Sequence, residues 1–227
     1  MFEVGRRHSD LHAVMLRPMA RRTFLFMLGL AGLTACTGGE TSSPTPTGFL
    51  ERTVESPRPA FDSDAFRLVV DGLVRTPLSL TYGEVLSLPA ETHTSDFRCV
   101  EGWGVDDVRW EGVPLRTLTE MAQPTAEARF VTFHCLGDVY RETLSLEQTD
   151  LPVALLAYRM HGKPLSPERG SPLRLVVPSM LGYKGAKWVT RMEFQAERDT
   201  GYWEQFGYPP DAWVEGEQSH RAPRRRV

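Results

Sequence analysis

Cys99 lies in the run Asp96-Phe97-Arg98-Cys99-Val100-Glu101-Gly102-Trp103-Gly104. A thiolate is a soft ligand that suits a high-valent metal, and Arg98 beside it would help keep the sulfur deprotonated. Glu101, two residues on, is a candidate proton carrier next to such a centre. Taken alone the run reads in two ways, because a cysteine at a strand end is also a common packing residue. Glu101 is equally an ordinary loop carboxylate.

A second run reads Gly170-Ser171-Pro172-Leu173-Arg174-Leu175-Val176-Val177-Pro178 and continues through Gly182-Tyr183-Lys184-Gly185-Ala186-Lys187-Trp188. Glycines let backbone N–H groups come close to an anion, while Arg174 and the two lysines bring charge for a phosphate. A hairpin with solvated lysines would look the same. It is not a nucleotide P-loop, since the Walker spacing and its Ser/Thr are absent. His93, His134 and His161 lack the second ligand pair of a zinc site. No Cys-x-x-Cys-His haem motif occurs, so a redox centre here would exchange electrons with another protein.

These residues need a framework of short strands. Residues 66–70 alternate as a half-buried strand, Asp71-Gly72 turns the chain, and 78–80 form a short strand. Thr81 is placed to cap a helix over 82–87. Residues 97–100 and 129–135 read as strands, 115–122 as a helix stopped near Pro124, and 151–158 as a helix. Two further strands fall at 173–177 and 188–194. Many short strands with few short helices indicate an α+β fold with mixed sheets. No second linker or repeat interrupts residues 61–214, which read as a single domain.

The chain has 227 residues, 41% of them hydrophobic, and a formal net charge of −3. That is enough to bury a full core, and no basic face points to nucleic acid. Residues 215–227 form a polar, basic tail around Arg221, Arg224, Arg225 and Arg226. Residues 1–36 read as an export signal: Arg21-Arg22 and Phe24-Leu25 resemble a twin-arginine motif, followed by an apolar run and Leu33-Thr34-Ala35-Cys36. The apolar run, about ten residues, is too short to span a bilayer, which takes about 20. Leu-Thr-Ala-Cys resembles a lipoprotein box, so cleavage before Cys36 and lipidation of Cys36 are expected; an uncut anchor is the alternative. Residues 37–60 read as a flexible tether. With Cys36 lipidated, Cys99 and Cys135 remain; in an exported protein they are either free or a disulfide. Folded-state export is consistent with a cofactor inserted before translocation.

Several motifs occur in a fixed order. They are Arg98-Cys99-Val100-Glu101-x-Trp103; Trp110-x-Gly112-x-Pro114-Leu115; Leu155-x-Ala157-Tyr158 with Gly162-Lys163-Pro164-Leu165; the two runs around Arg174 and Lys187; and Gly201-Tyr202-Trp203-Glu204 with Gly207-Tyr208. The series resembles the molybdopterin-binding domain of the sulfite oxidase family, including its short bacterial members and the periplasmic methionine-sulfoxide reductases. The resemblance implies the sulfite-oxidase-type fold and a molybdenum–molybdopterin cofactor, without an added nucleotide. It also implies two-electron oxygen-atom transfer on a small oxo substrate. By that resemblance Cys99 binds the metal and is catalytic with Glu101, Arg174 holds the pterin phosphate, and Gly185, Ala186 and Lys187 wrap the cofactor. Cys135 and Arg169 stand where those reductases carry a cofactor-contacting threonine and asparagine. Only Arg109 follows Cys99 as a candidate anion-holding arginine, which favours reduction of a sulfoxide or another oxide over sulfite oxidation. An external cytochrome or membrane haem subunit would be the electron partner, and the protein would act as a lipid-anchored monomer on the periplasmic side. Two rivals stand: a metal-free lipoprotein binding module on the same fold, and a pure electron-transfer protein.

Overall fold

Leu68 and Val70 are fully buried while Arg67, Val69 and Asp71 are not. That period of two makes β1 (Arg67–Gly72) a strand with one face on the core. The computed structural model describes residues 48–215. The expected signal at 1–36 with Cys36, the first part of the tether and the tail beyond 215 lie outside the described residues. β1 pairs antiparallel with β2 (Leu78–Thr81) and parallel with β10 (Val189–Gln195). β5 (Phe130–Cys135) and β6 (Arg141–Ser145) complete a sheet of order β2-β1-β10-β5-β6. A second sheet runs β3 (Glu91–Arg98), β4 (Gly104–Pro114), β7 (Leu155–Met160) and β8 (Lys163–Pro164), with β9 (Arg174–Val176) also on β7.

The helices are short, as expected for the α+β class. α1 (Tyr82–Ser87) starts at Thr81, whose hydroxyl accepts from the Glu84 N–H while the Glu84 carboxylate accepts from the Thr81 N–H, a complete capping box. α2 (Leu115–Ala122) turns Leu115, Leu118 and Ala122 inward and ends at Gln123, in the left-handed region just before Pro124. α3 (Leu146–Thr149) repeats the capping box with Ser145 and Gln148.

One element differs from the sequence expectation. The helix expected over 151–158 is instead β7, paired to β4 on one side and β9 on the other. Leu155, Leu156, Ala157 and Tyr158 are all buried, because both faces of this central strand are covered. A continuous apolar run looks the same in a buried helix and a buried strand, and only the neighbouring strands decide it. The expected strand at 97–100 is the end of β3, which starts earlier and stops at Arg98, leaving Cys99 at the first position of a turn.

The main core lies between the sheets and helices, with Leu68, Phe133, Leu144, Leu156 and Phe194 among its fully buried members. A smaller cluster around Val108, Trp110 and Val176 sits on the other face of the second sheet. Gly112 shows why part of the motif series is rigid. It faces Ala157 across β4 and β7, and a Cβ there would sit 2.2 Å from the Leu156 carbonyl oxygen. Gly112→Ala is therefore expected to cost about 1–3 kcal/mol of stability and to lower the melting temperature by several degrees in a thermal melt.

Candidate cofactor site

β9 and the chain after Gly185 are tied as a ladder. Leu175 N–H donates to the Ala186 carbonyl at 2.8 Å, Val189 N–H donates to Leu173 at 2.9 Å, and Arg174 forms a bridge with Lys187. That pairing sets two cations side by side on one wall of a cleft. Gly170, at φ +103, lets Lys187 pass close: a Cβ on Gly170 would lie 2.9 Å from the Lys187 Cβ. Gly182 is equally constrained, since its Cβ would enter the ring of Phe97. The glycines thus serve close backbone packing around the cations.

The cleft has a volume of about 170 Å³ and opens to solvent. Arg169, Arg174 and Lys187 line it, and among the described residues none has a carboxylate partner. Their hydrogen bonds go only to main-chain oxygens: Arg169 to Phe49 at 3.2 Å, Arg174 to Arg169 at 3.3 Å and Lys187 to Glu168 at 3.3 Å. Arg174 is only 6% exposed, with its guanidinium 5.5 Å from the rings of Phe97 and Trp110. Burial, and then the neighbouring Arg169, push Arg174 down to about 10. Burial followed by the charge of Arg174 pushes Lys187 down to about 8. A buried cation such as Arg174 without counter-charge is costly, and two half-buried cations beside it add repulsion, so this wall suits an anion.

Cys99 enters the same cleft from the β3–β4 turn, where Cys99 N–H donates to the Trp103 carbonyl at 2.8 Å and Gly102 takes φ +85. Its thiol lies 3.9 Å from the Glu101 carboxylate. Partial burial pushes the thiol up, against the lowering effect of the Glu101 backbone N–H. Arg98 does not do what its position in the sequence suggested. Its guanidinium is held by Asp96 and Asp106, each at 2.7 Å, on the far side of the hairpin. The cation beside Cys99 is Arg52, whose Nε donates to both Glu101 oxygens at 2.9 Å. Arg52, and then the Trp103 indole N–H at 2.8 Å, hold Glu101 below the usual carboxylate range.

Arg52 belongs to the segment expected to be a tether, and the described part of that segment is packed instead. Phe49 packs tilted against Phe97 and edge-on to Trp110, beneath the Arg169 guanidinium, 4.7 Å away. Residues 49–55 all line the cleft. Glu55 is 7% exposed and accepts from the Tyr140 N–H at 3.2 Å, and it has no cationic partner among the described residues. Low apolar content and several prolines hid this packing, which uses one aromatic anchor and charged side chains.

Other expected site residues fall differently. Gly185 lines the cleft beside Lys187, but Ala186 is buried in the core and offers only its carbonyl to Leu175. Cys135 ends β5, is buried behind the wall and is free, as is Cys99, so no disulfide joins them. Lys184 points inward and is fully buried between Glu142 and Glu204. Burial pushes Glu142 up to about 7 in spite of Lys184. The buried lysine ties the loop that carries Lys187 to the segment that carries Trp203 and Tyr208, which also line the cleft.

The free thiol of Cys99 shares one cleft with the buried Arg174 and the half-buried Arg169 and Lys187, three cations without a carboxylate partner among the described residues, an arrangement suited to an anionic cofactor. Among the described residues no cluster of three or more His, Cys, Asp or Glu side chains could hold a metal, so a metal at Cys99 would need further ligands from that cofactor. The sequence profile of the oxidoreductase molybdopterin binding domain matches residues 55–203, and the chain belongs to this family. The protein-methionine-sulfoxide reductase catalytic subunit MsrP of Campylobacter jejuni is 36% identical over 162 residues, covering 64% of this chain and 54% of the relative. The chain thus spans about half the length of that relative. The uncharacterized oxidoreductase YuiH of Bacillus subtilis is 36% identical over 147 residues, 65% of this chain and 74% of that protein. Among solved structures, the sulfane dehydrogenase SoxCD from Paracoccus pantotrophus superposes with a TM-score of 0.59 at 25% identity, over 65% of this chain and 42% of that one.

The depressed Lys187 sets a pH dependence. In cofactor-free protein Lys187 loses its proton as pH rises through about 8, well before an ordinary lysine. Sulfate, whose charge is constant in that range, should therefore bind more weakly from about pH 8 upward in a calorimetric titration. Lys187→Met should bind sulfate more weakly at pH 7 and lack that alkaline step.

Proposed function

We propose that the chain is an exported molybdenum–pterin oxidoreductase that removes the oxygen of a sulfoxide or a related organic oxide. The observation that carries this reading is the buried Arg174 beside the half-buried Lys187, neither with a counter-charge among the described residues, in one cleft with the free thiol of Cys99. The pterin phosphate fits the pair as the missing anion. Arg169 and Gly185 add to the same wall, while Ala186 and Cys135 shape it from behind. Glu55, a buried carboxylate in a cleft with three free cations, is suited to accept from the N–H groups of the pterin. The unmodified pterin fits, because Arg174 and Lys187 supply charge for one phosphate group.

Cys99 is the protein ligand of the metal in this reading, and Glu101 is the acceptor beside it. When bound, the cofactor supplies two-electron oxygen-atom chemistry, and the chain supplies binding, orientation and electrostatics. The balance is R₂S=O + 2 e⁻ + 2 H⁺ → R₂S + H₂O, with electrons from an external haem-bearing partner. Export by the twin-arginine signal, lipidation of Cys36 and action as a monomer at the membrane surface complete the proposal. Among the described residues no helix is long and apolar enough to cross a membrane.

Oxidation of an anionic sulfur compound is the second reading, and one observation favours it. The paucity of arginines after Cys99 does not carry over to the cleft, where Arg52, Arg169 and Arg174 converge from elsewhere in the chain. The two directions separate in one assay. With reduced viologen as donor, the loaded protein should turn over methionine sulfoxide, and Cys99→Ser should lose at least about 1,000-fold of kcat/KM, about 4 kcal/mol of transition-state stabilisation. Sulfite oxidation with ferricyanide, and no sulfoxide turnover, would reverse the assignment.

A further inference from the structure

We infer that Glu142 is a positioning residue of the cleft, acting as a proton-held clamp on two of the segments that line it. With its carboxyl protonated, the charge of Lys184 is balanced by Glu204 alone, and the pair ties the loop 182–187 to the segment 201–208. With it ionised, two carboxylates face one ammonium in the interior and the tie loosens. The clamp stands on its own geometry; its consequence for cofactor retention rests on the reading proposed above.

Lys184 is fully buried, and its ammonium uses all three donors inside the protein. They go to the Glu142 carboxylate, to Glu204 at 2.8 Å and to the Thr143 carbonyl at 3.0 Å. Glu142, on β6, is equally buried. One of its oxygens also accepts from the Thr143 N–H at 2.8 Å, while the other has no partner among the described residues. That second oxygen is packed against Gly201, where a Cβ would lie 3.0 Å from it. Glu204 uses both oxygens, one accepting from the Gly201 N–H at 3.1 Å. An ionised oxygen without a donor is costly in the interior, and a neutral carboxyl costs far less. One proton on Glu142 therefore balances the cluster and leaves Lys184 and Glu204 as a matched pair.

The surroundings supply no second cation for Glu142 among the described residues. Arg198, from the segment after β10, reaches the Thr143 carbonyl at 3.4 Å and the Pro210 carbonyl at 3.1 Å, and it is paired with Asp211 at 3.9 Å. Cys135 and Tyr140 lie near the cluster from β5 and the turn after it, and Tyr183 from the loop; burial pushes all three up, so they stay neutral near pH 7. Burial likewise lifts Glu142 to about 7, whereas the hydrogen bond and charge of Lys184 outweigh burial at Glu204 and hold it low. A carboxyl raised in the folded state stabilises the closed clamp fully below the ordinary carboxylate range, and that stabilisation is lost as pH rises to about 7. Both clamped segments reach the cleft, with Tyr183, Gly185 and Lys187 from one and Trp203 and Tyr208 from the other. Tyr140 stacks on Tyr202 at 5.6 Å and Tyr183 meets Tyr208 edge-on at 5.3 Å, so a shift of either segment passes to the wall.

The test is hydrogen–deuterium exchange of the full-length chain, read by mass spectrometry at about pH 5.5 and about pH 7.5 and corrected for intrinsic exchange rates. In wild type, local opening of 182–187 and 201–208 should rise about tenfold or more between the two, as loss of one proton from the closed state requires. Glu142→Gln, which keeps the shape and carries no charge, should hold both segments closed at either pH and abolish the rise. Glu204→Gln also removes the surplus charge and should abolish it, which decides the matter should Glu142→Gln fail to fold. A rise that persists in either folded variant, or that is absent from wild type, would overturn the inference. In cofactor-loaded protein, Glu142→Gln should retain molybdenum through dialysis at the higher pH several times longer than wild type. Equal retention would overturn the link to the cofactor. A wild type that never carries molybdenum would overturn the cofactor reading instead, with the exchange data still deciding the clamp.

Discussion

Arg174 is the residue around which the rest of the molecule is arranged. A guanidinium that is almost wholly buried, with no carboxylate beside it, is tolerated only if the structure returns its lost hydration in another form. Here two aromatic faces and one main-chain oxygen do part of that, and the remainder falls to a ligand. The β9 ladder places Lys187 next to Arg174; burial and then Arg174 depress Lys187, as burial and then Arg169 depress Arg174. An anion entering the cleft relieves burial and repulsion together, so binding of the cofactor and stability of the wall are one problem.

Three separate parts of the chain meet that wall. The β3–β4 turn brings Cys99, Glu101 and Trp103. The segment 49–55 brings Phe49 as an anchor and Arg52 and Glu55 as charges. The segment after β10 brings Trp203 and Tyr208, held through the Lys184–Glu204 contact to the loop of Lys187. Removing one partner of such a buried ion pair leaves an uncompensated charge. The interior Lys184 is therefore a structural charge, whereas Lys187, three residues on, lines the cleft.

Much of this was legible from the sequence. The α+β class, α1 with its Thr81 cap, α2 and most strands follow from periodicity and capping residues. The ordered motifs identified the family and pointed to the chain segments that form the cleft. Three things were not legible, each for a physical reason. The run at Leu155 is apolar on both faces, and its strand state depends on β4 and β9, which lie far away in sequence. Arg98 and Lys184 are near the site in sequence, but the sequence does not show that Asp96, Asp106, Glu142 and Glu204 capture them. The packing of residues 49–55 rests on single contacts such as Phe49 with Arg169 and Glu55 with Tyr140, across more than 80 positions, where composition suggested only a tether.

The central claim is that the cleft holds a molybdenum–pterin cofactor through Cys99 and the Arg174–Lys187 wall. Its most direct test is the molybdenum content, by elemental mass spectrometry, of full-length protein produced and exported through its native route. The account predicts close to one molybdenum per chain in wild type and a sharp loss in Cys99→Ser and Arg174→Gln. Well-folded wild-type protein without molybdenum would contradict it and leave a binding module on the same fold.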